Sequence, residues 1–372
     1  MANSASNSRA WRIVHSEYSL GWGGQEHRVL AELSGFQARG AKVWLVAPPA
    51  SQISARARAA GVPQVPLQAA KPAFLFSVIR LAAWLRREQI EVLNPHSSRD
   101  GWLLGLAGRL ARVPFLVRTR HIDVDYPHPW ISRHAYTTLA DHILTTSDKI
   151  TAHFRAMFHL PEDRVTTVPT GIDIKRFSPQ GPAAQLHPEQ GQVPLVGMVS
   201  VLRSWKGHTT FLEAAQLLQQ EGLAARYVIV GDGPIRQGIE AEVAARGLEN
   251  AVRLQGHRED VPEVLRALNL LVIPSTKHEG VPQIGLQALA CQTPVVGSDA
   301  GGIPEIIRPG ETGRIFPATQ AAALARQIRE ALAEAAATRA FAVRGRAMVE
   351  SRHSLEAMLD RLDALYRRHL PA

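Results

Sequence analysis

Lys277-His278-Glu279-Gly280-Val281-Pro282-Gln283-Ile284-Gly285-Leu286-Gln287-Ala288-Leu289 follows closely on an apolar run, Leu268 to Pro274. The run reads as a buried strand, and the quoted stretch as a loop opening into a helix with Pro282 near its first position. Glu279 then lies on a loop at a helix N-terminus, where free backbone N–H groups and the helix dipole favour anions. Gln287 stands eight residues on, two helical turns away. A carboxylate, an anion-ready helix start and a second polar group are aligned by spacing alone, an arrangement suited to gripping a phosphorylated sugar.

Outward from this unit, strand and helix patterns alternate along the chain. Strands are expected at 11–16, 42–47, 91–94, 115–119, 142–146 and 164–168, separated by helical segments near 25–39, 73–88, 99–112 and 148–158. The second half repeats the pattern, with strands at 195–201, 226–230, 252–255, 270–274, 294–297 and 314–316. Such alternation argues for an α/β fold with two parallel sheets covered by helices. Residues 178–194, rich in Pro, Gly, Gln and Ala, read as an exposed linker between them. Near the end, Leu355, Met358, Leu359, Leu362, Leu365 and Tyr366 fall on one face of an amphipathic helix.

The 372 residues accommodate two domains, and 45% hydrophobic with 20% charged residues marks a folded chain. Cys291 is the single cysteine, so no intrachain disulfide forms and a reducing compartment is expected. The polar start, Met1 to Ser8, lacks the apolar centre of a signal peptide and reads as disordered. No apolar run reaches the roughly 20 residues that span a bilayer. A cytoplasmic location is the expectation.

The net charge of +9 is unevenly placed: residues 1–180 hold 22 Lys and Arg against 13 Asp and Glu, and the remainder 20 of each. A basic first half favours anionic partners such as a phospholipid surface, or is simply a solvated Arg-rich surface. Phe74, Phe76, Ile79, Leu81, Trp84 and Leu85 alternate with Arg80, Arg86 and Arg87. That helix either lies in an anionic membrane interface or buries its apolar face in its own domain. Nucleic acid is not an expected partner, because no binding motif or aromatic-interleaved basic strand accompanies the charge.

Several further segments carry chemistry. Ser200-Val201-Leu202-Arg203-Ser204-Trp205-Lys206-Gly207-His208 follows the first strand of the second half. Parallel-sheet proteins bind ligands beyond the carboxyl ends of strands, so Arg203 and Lys206 are placed for phosphates. Gly21-Trp22-Gly23-Gly24-Gln25-Glu26 joins the first strand to the first helix, where glycines let backbone amides approach a ligand or serve packing alone. Gly231-Asp232-Gly233 lacks the full dinucleotide spacing. Of the 15 histidines, His121 directly follows a strand and His96 is its rival; His153, His159 and His353 read as surface residues. Their spacings show no paired metal ligands, and no metal is expected.

Taken in order, these motifs resemble those of the retaining GT-B glycosyltransferases, the family 4 type of glycosyl transferases group 1. That signature typically reads E-G-[FV]-P-x-x-x-x-E-A. Glu279, Gly280, Val281, Pro282 and Ala288 match it, whereas Gln287 stands where a second Glu holds the nucleotide ribose. Lys206-Gly207 match the end of G-R-L-x-x-x-K-G, with Val201 at the usual Arg position and Arg203 two residues later. Gly23 and Gly24 fall on the family's G-G-x-E loop, and Gly301-Gly302-Ile303-Pro304-Glu305 on a loop near the donor. The segment 252–260 lies where family members contact the nucleobase. Val168-Pro169-Thr170-Gly171-Ile172-Asp173, followed by Phe177-Ser178-Pro179, resembles the close of the first domain, with Thr170 in place of Asn.

The resemblance implies two Rossmann-like domains facing a central cleft: 1–180 for the acceptor, completed by a crossover helix at 354–372, and 181–353 for the donor. It implies sugar transfer from a nucleotide donor, a UDP-sugar first, to a lipopolysaccharide or lipid-linked glycan with retention of configuration. No cofactor beyond that co-substrate is implied. Lys206 and Arg203 would steady the leaving diphosphate, Glu279 and His121 would position the sugar, and Gln287 would bind ribose. The same fold also serves nucleotide-sugar epimerases, which need no acceptor, and a basic nucleic-acid binder is the alternative of a different class.

Overall fold

The computed structural model describes residues 10–67, 74–121, 129–277 and 279–370. The terminal segment Met1 to Ser8 and His278 lie outside the described residues. The chain divides into two compact units, Met1–Gly171 with Leu355–Ala372, and Ile172–Ser354.

In the first unit the strands are β1 (Arg12–Ser16), β2 (Lys42–Ala47), β3 (Gln64–Pro66), β4 (Val92–Pro95), β5 (Phe115–Arg120), β6 (His142–Thr145) and β7 (Val165–Thr167). Between them run α1 (Gly24–Ala38), α2 (Gln52–Ala59), α3 (Phe74–Arg87), α4 (Ser98–Ala111), α5 (Pro129–Thr137) and α6 (Asp148–Phe158). All seven strands pair in parallel, in the order β3-β2-β1-β4-β5-β6-β7. The pleat sends successive side chains to opposite faces. Ile13, Val43 and Val92 therefore join one core cluster, and Val14, Val46 and Leu93 the other. Elements β3, α2 and α5 went unread in the sequence because they are short and their apolar periodicity is weak.

The second unit contains β8 (Leu195–Val199), β9 (Arg226–Val230), β10 (Val252–Gly256), β11 (Leu270–Ile273), β12 (Val295–Ser298) and β13 (Arg314–Phe316). Its helices are α7 (His208–Gln220), α8 (Arg236–Ala245), α9 (Val261–Ala267), α10 (Gln283–Ala290), α11 (Ile303–Ile306), α12 (Ala321–Ala333) and α13 (Ala335–Arg352). The parallel order is β10-β9-β8-β11-β12-β13. One face packs Phe211, Leu212 and Leu218 of α7 over the sheet, the other Leu286 and Leu289 of α10.

The last helix, α14 (Leu355–His369), belongs to the first unit. Met358, Leu359, Leu362, Leu365 and Tyr366 enter the core cluster of β1 and β2. Leu359 lies against Gly35 of α1, where even a methyl group would come within 2.5 Å of it. Trp11 donates from Nε1 to Asp363 at 2.6 Å and meets the Tyr366 ring edge-on.

Two expectations are corrected. The division falls between Gly171 and Ile172, ahead of residue 180, because Ile172 and Phe177 pack in the second unit's core. The segment 178–194 is not an exposed linker throughout. Ala184 and Leu186 are buried in that core, and the Ala184 amide donates to the Glu263 carbonyl at 2.9 Å.

Candidate functional site

Each sheet reverses its strand order once, between β1 and β4 in the first unit and between β8 and β11 in the second. Loops leaving the carboxyl ends of strands diverge there and open a crevice suited to ligands. The candidate residues lie at these two places, except His121, which follows the neighbouring β5.

In the second unit the loop after β8 ends in a turn, Ser204–Lys206, and Gly207. Gly207 has a φ of +78°, and a Cβ there would sit 1.8 Å from the Pro274 carbonyl oxygen. Only glycine admits both that conformation and that approach. The Thr276 amide then donates to the Trp205 carbonyl at 2.8 Å, stitching the β8 loop to the β11 loop. The result aims Lys206 at Glu279: Nζ lies 2.9 Å from Oε1 and 2.7 Å from Oε2. Ser275 donates from Oγ to Glu279 at 2.8 Å, and its own carbonyl accepts from Ser298 Oγ at 2.6 Å. Behind the carboxylate, the Gly302 amide donates to the Glu279 carbonyl at 3.1 Å. Gly301 has a φ of +57°, and a Cβ there would lie 2.0 Å from that same carbonyl oxygen. Glu279 is thus held through its backbone and both carboxylate oxygens.

Gly280, Val281 and Pro282 lead into α10, with Pro282 extended just before the first helical residue. Gln287 is half-buried on α10, and its side-chain amide makes no hydrogen bond among the described residues. Arg203 is exposed, its guanidinium 5.2 Å over the Trp205 ring, and it does not join the Lys206–Glu279 pair. Gly231 has a packing role: a Cβ there would lie 1.8 Å from the Ser200 carbonyl oxygen. His208 beside Lys206 is held near a pKa of about 4 by burial and then by the lysine charge.

In the first unit, Gly23 caps α1; its amide donates to Glu26 at 2.9 Å, and Gly24 is the first helical residue. A Cβ on Gly23 would meet only Glu26, at 3.4 Å, so packing does not demand a glycine there. Beside this loop, Glu17 is fully buried and accepts from the Ser19 amide at 2.8 Å and from the Gln25 side chain. Burial, and then the Asp100 charge, raise its pKa to about 7. His121 and His96, rivals in the sequence, are joined: His96 Nδ1 lies 2.8 Å from His121 Nε2. His96 Nε2 lies in turn 2.8 Å from His15 Nδ1. Burial holds all three imidazoles below the usual range, His96 and His121 well below it.

His15 and Glu17 were missed in the sequence, although both adjoin the carboxyl end of β1, where a polar residue after an apolar strand is itself a signal. His353 is a further correction: it is buried, and its carbonyl accepts from the Ile172 amide at 2.7 Å. Local sequence also hid a group of metal-ligand type, His15, Glu32 and His96, whose candidate atoms lie within 4.8 Å of one another. Among the described residues, no helix is long and apolar enough to cross a membrane.

Two family descriptions match the chain: Glycosyltransferase Family 4 over residues 22–176 and Glycosyl transferases group 1 over residues 183–348. The alpha-D-kanosaminyltransferase of Streptomyces kanamyceticus is 27% identical over 318 residues, which is 79% of this chain and 81% of that protein. An Escherichia coli UDP-Gal:alpha-D-GlcNAc-diphosphoundecaprenol alpha-1,3-galactosyltransferase is 26% identical over 61% of this chain and 62% of its own length. Among solved structures, a glycosyltransferase from Rickettsia africae superimposes with a TM-score of 0.86 at 18% identity, covering 97% of this chain and 99% of that one. Anabaena Alr3699/HepE, in complex with UDP and glucose, gives 0.82 at 18% identity, covering 95% and 98%.

Proposed function

The chain belongs to the GT-B glycosyltransferases, which use nucleotide-sugar donors, and from that premise we propose that it moves a sugar from a UDP-sugar to a glycan or lipid-linked glycan with retention of configuration. The observation that carries this reading is the Lys206–Glu279 pair at the second unit's strand-order reversal, beside the start of α10.

An ammonium has three N–H donors, and Glu279 takes two of them. The third is available to a diphosphate oxygen, where it stabilises charge as the sugar–phosphate bond breaks. Arg203, on the same loop, adds a second cation, and the N-terminus of α10 at Gly280–Pro282 adds its dipole. These groups take the place of a metal. Glu279 accepts from sugar hydroxyls, and by the family resemblance His121 is a sugar-positioning residue. In a retaining front-face displacement, the acceptor hydroxyl gives its proton to the departing diphosphate and its oxygen bonds the anomeric carbon. No side-chain nucleophile is needed. Gln287 binds ribose by accepting from one hydroxyl and donating to the other, with a weaker grip than a charged carboxylate.

The UDP-bound Anabaena structure and the UDP-galactose-dependent relative support a uridine donor. A thermal-shift panel of UDP-, GDP- and ADP-sugars tests it; a UDP-sugar is expected to raise Tm by several degrees, and no response to any of them overturns the assignment. Gln287→Glu should tighten nucleotide binding; unchanged affinity and turnover would remove its ribose role.

The membrane reading now rests on named surface residues. Leu75, Phe76 and Ile79 of α3 are 71%, 69% and 54% exposed, and Leu106 and Leu110 of α4 are exposed too. Arg80, Arg86, Arg87 and Arg109 are exposed on the same two helices, and Arg86 bonds the Leu110 carbonyl. Exposed apolar side chains interleaved with arginines suit an anionic bilayer at the cytoplasmic face of the inner membrane. Sedimentation with anionic vesicles should retain the protein at low salt, and Phe76→Asp/Ile79→Asp should release it.

A further inference from the structure

We propose that His15 and His96 are positioning residues whose directed hydrogen-bond line, polarised by the nearby Glu32 carboxylate, fixes the tautomer of His121 with its proton on Nδ1. The line itself stands on geometry; its use in sugar transfer rests on the reading of His121 above.

Three imidazoles come from the carboxyl ends of three neighbouring strands: His15 on β1, His96 after β4 and His121 after β5. Two contacts of 2.8 Å join them, His15 Nδ1 to His96 Nε2 and His96 Nδ1 to His121 Nε2. A neutral imidazole has one N–H and one lone pair. His96 spends both on its neighbours, so the two bonds must run in the same direction, either both towards His121 or both away from it.

The inner end decides which. Glu32 Oε2 is buried, makes no hydrogen bond and lies 3.6 Å from His15 Nδ1. A proton on that nitrogen, donated to His96 Nε2, is favoured by the negative charge beside it, whereas a lone pair there would be repelled by the carboxylate. His15 Nε2 is also buried without a partner. With the proton on Nδ1 this atom is an unfilled acceptor; the reverse direction would bury an unfilled N–H, which costs more and is rarer. Both arguments put the proton on His15 Nδ1, then on His96 Nδ1, and leave His121 Nε2 as acceptor with its own proton on Nδ1.

The inner end is also anchored. Arg28 donates from Nε to Glu32 Oε1 at 2.6 Å, and from Nη1 to the Val168 carbonyl at 2.8 Å and to Thr170 Oγ1 at 3.2 Å. Stacking of the His15 and His96 rings, 4.9 Å apart at 22°, fixes their planes. His15, Glu32 and His96 also offer metal-ligand atoms within 4.8 Å of one another. The Arg28 guanidinium already neutralises Glu32, and a second cation beside it would be repelled.

Long-range ¹⁵N–¹H correlation spectra of the full-length, histidine-labelled protein read each tautomer directly. The wild type is expected to show the Nδ1–H form at His15, His96 and His121. His15→Phe should leave His121 as a tautomer mixture and lower kcat about tenfold with donor KM little changed, as expected for one lost orienting hydrogen bond. His15→Asn, whose amide N–H occupies roughly the Nδ1 position, should restore both. An Nε2–H His121 in the wild type, a spectrum unmoved by His15→Phe, or stoichiometric Zn²⁺ binding that shifts His15 and His96 would overturn the proposal. If His121→Ala leaves turnover unchanged while the wild-type tautomers are as expected, the sugar-contact reading fails and the line stands.

Discussion

Lys206→Met separates the structural weight of the Lys206–Glu279 pair from its catalytic weight. In the folded chain Nζ meets both Glu279 oxygens, at 2.9 and 2.7 Å, with side chains 22% and 10% exposed. Methionine keeps the stem's bulk and removes the charge. Breaking a fully buried pair by deleting one partner costs about 3–5 kcal/mol. Here Ser275 keeps one bond to the carboxylate, and the opening left by Lys206 admits water, so a loss of about 2 kcal/mol in folding stability is expected. The catalytic loss is larger. Removing a preorganised group that stabilises leaving-group charge lowers kcat by about 10²–10³. The double variant Lys206→Met/Glu279→Gln removes the stranded charge and should recover stability to within about 1 kcal/mol of wild type, while activity stays low. Guanidinium unfolding followed by tryptophan fluorescence, together with nucleotide release from a UDP-sugar, measures both. A single variant within threefold of wild-type kcat, or a double variant no more stable than the single, refutes the reasoning.

Gly301→Ala should destabilise the second unit by about 3 kcal/mol, since its Cβ would strike the Glu279 carbonyl at 2.0 Å from a φ of +57°; a Tm within one degree of wild type would show that the loop yields freely. Glu17 carries a pH signature: its folded pKa of about 7 lies above the ordinary 4.5, so the unfolded chain loses this proton first as pH rises. Stability due to the proton is therefore lost between those two values, by about 3 kcal/mol, and is flat above them. Wild type minus Glu17→Gln, measured by urea unfolding across this window, should fall by that amount; parallel curves would refute the shift. Leu359→Ala empties a fully buried site against Gly35 and should cost the first unit about 2–5 kcal/mol, read by the same method; a loss below 1 kcal/mol would mean that α14 is not integral to that core.

What was legible in the sequence is what local patterning encodes. Strands β2, β9 and β13 lie at the residues where apolar periodicity puts them, because a run of alternating or continuous apolar residues has few ways to hide from water. The opening of α10 after Pro282 was equally legible, since proline suits a helix start and the preceding run can only be a buried strand. Glu279 and Lys206 were recognisable as candidates from their places just beyond strand ends.

Their direct pairing across 73 positions was not legible, because it depends on Gly207 and Gly301 allowing backbone approaches that no local signal records. The three histidines show the same division. His121 and His96 each carried a local signal, whereas their hydrogen bond, and the entry of His15 and Glu32, arise only when β1, β4 and β5 lie side by side. The sequence by itself determined the α/β class, the duplication of the parallel sheet and the amphipathic last helix, all consequences of periodicity and burial. Only the tertiary structure decided which loops meet, where the first unit ends and which polar groups share a buried site. Strand order is set by packing between distant segments, and a side chain's partner is whatever that order brings within hydrogen-bonding reach.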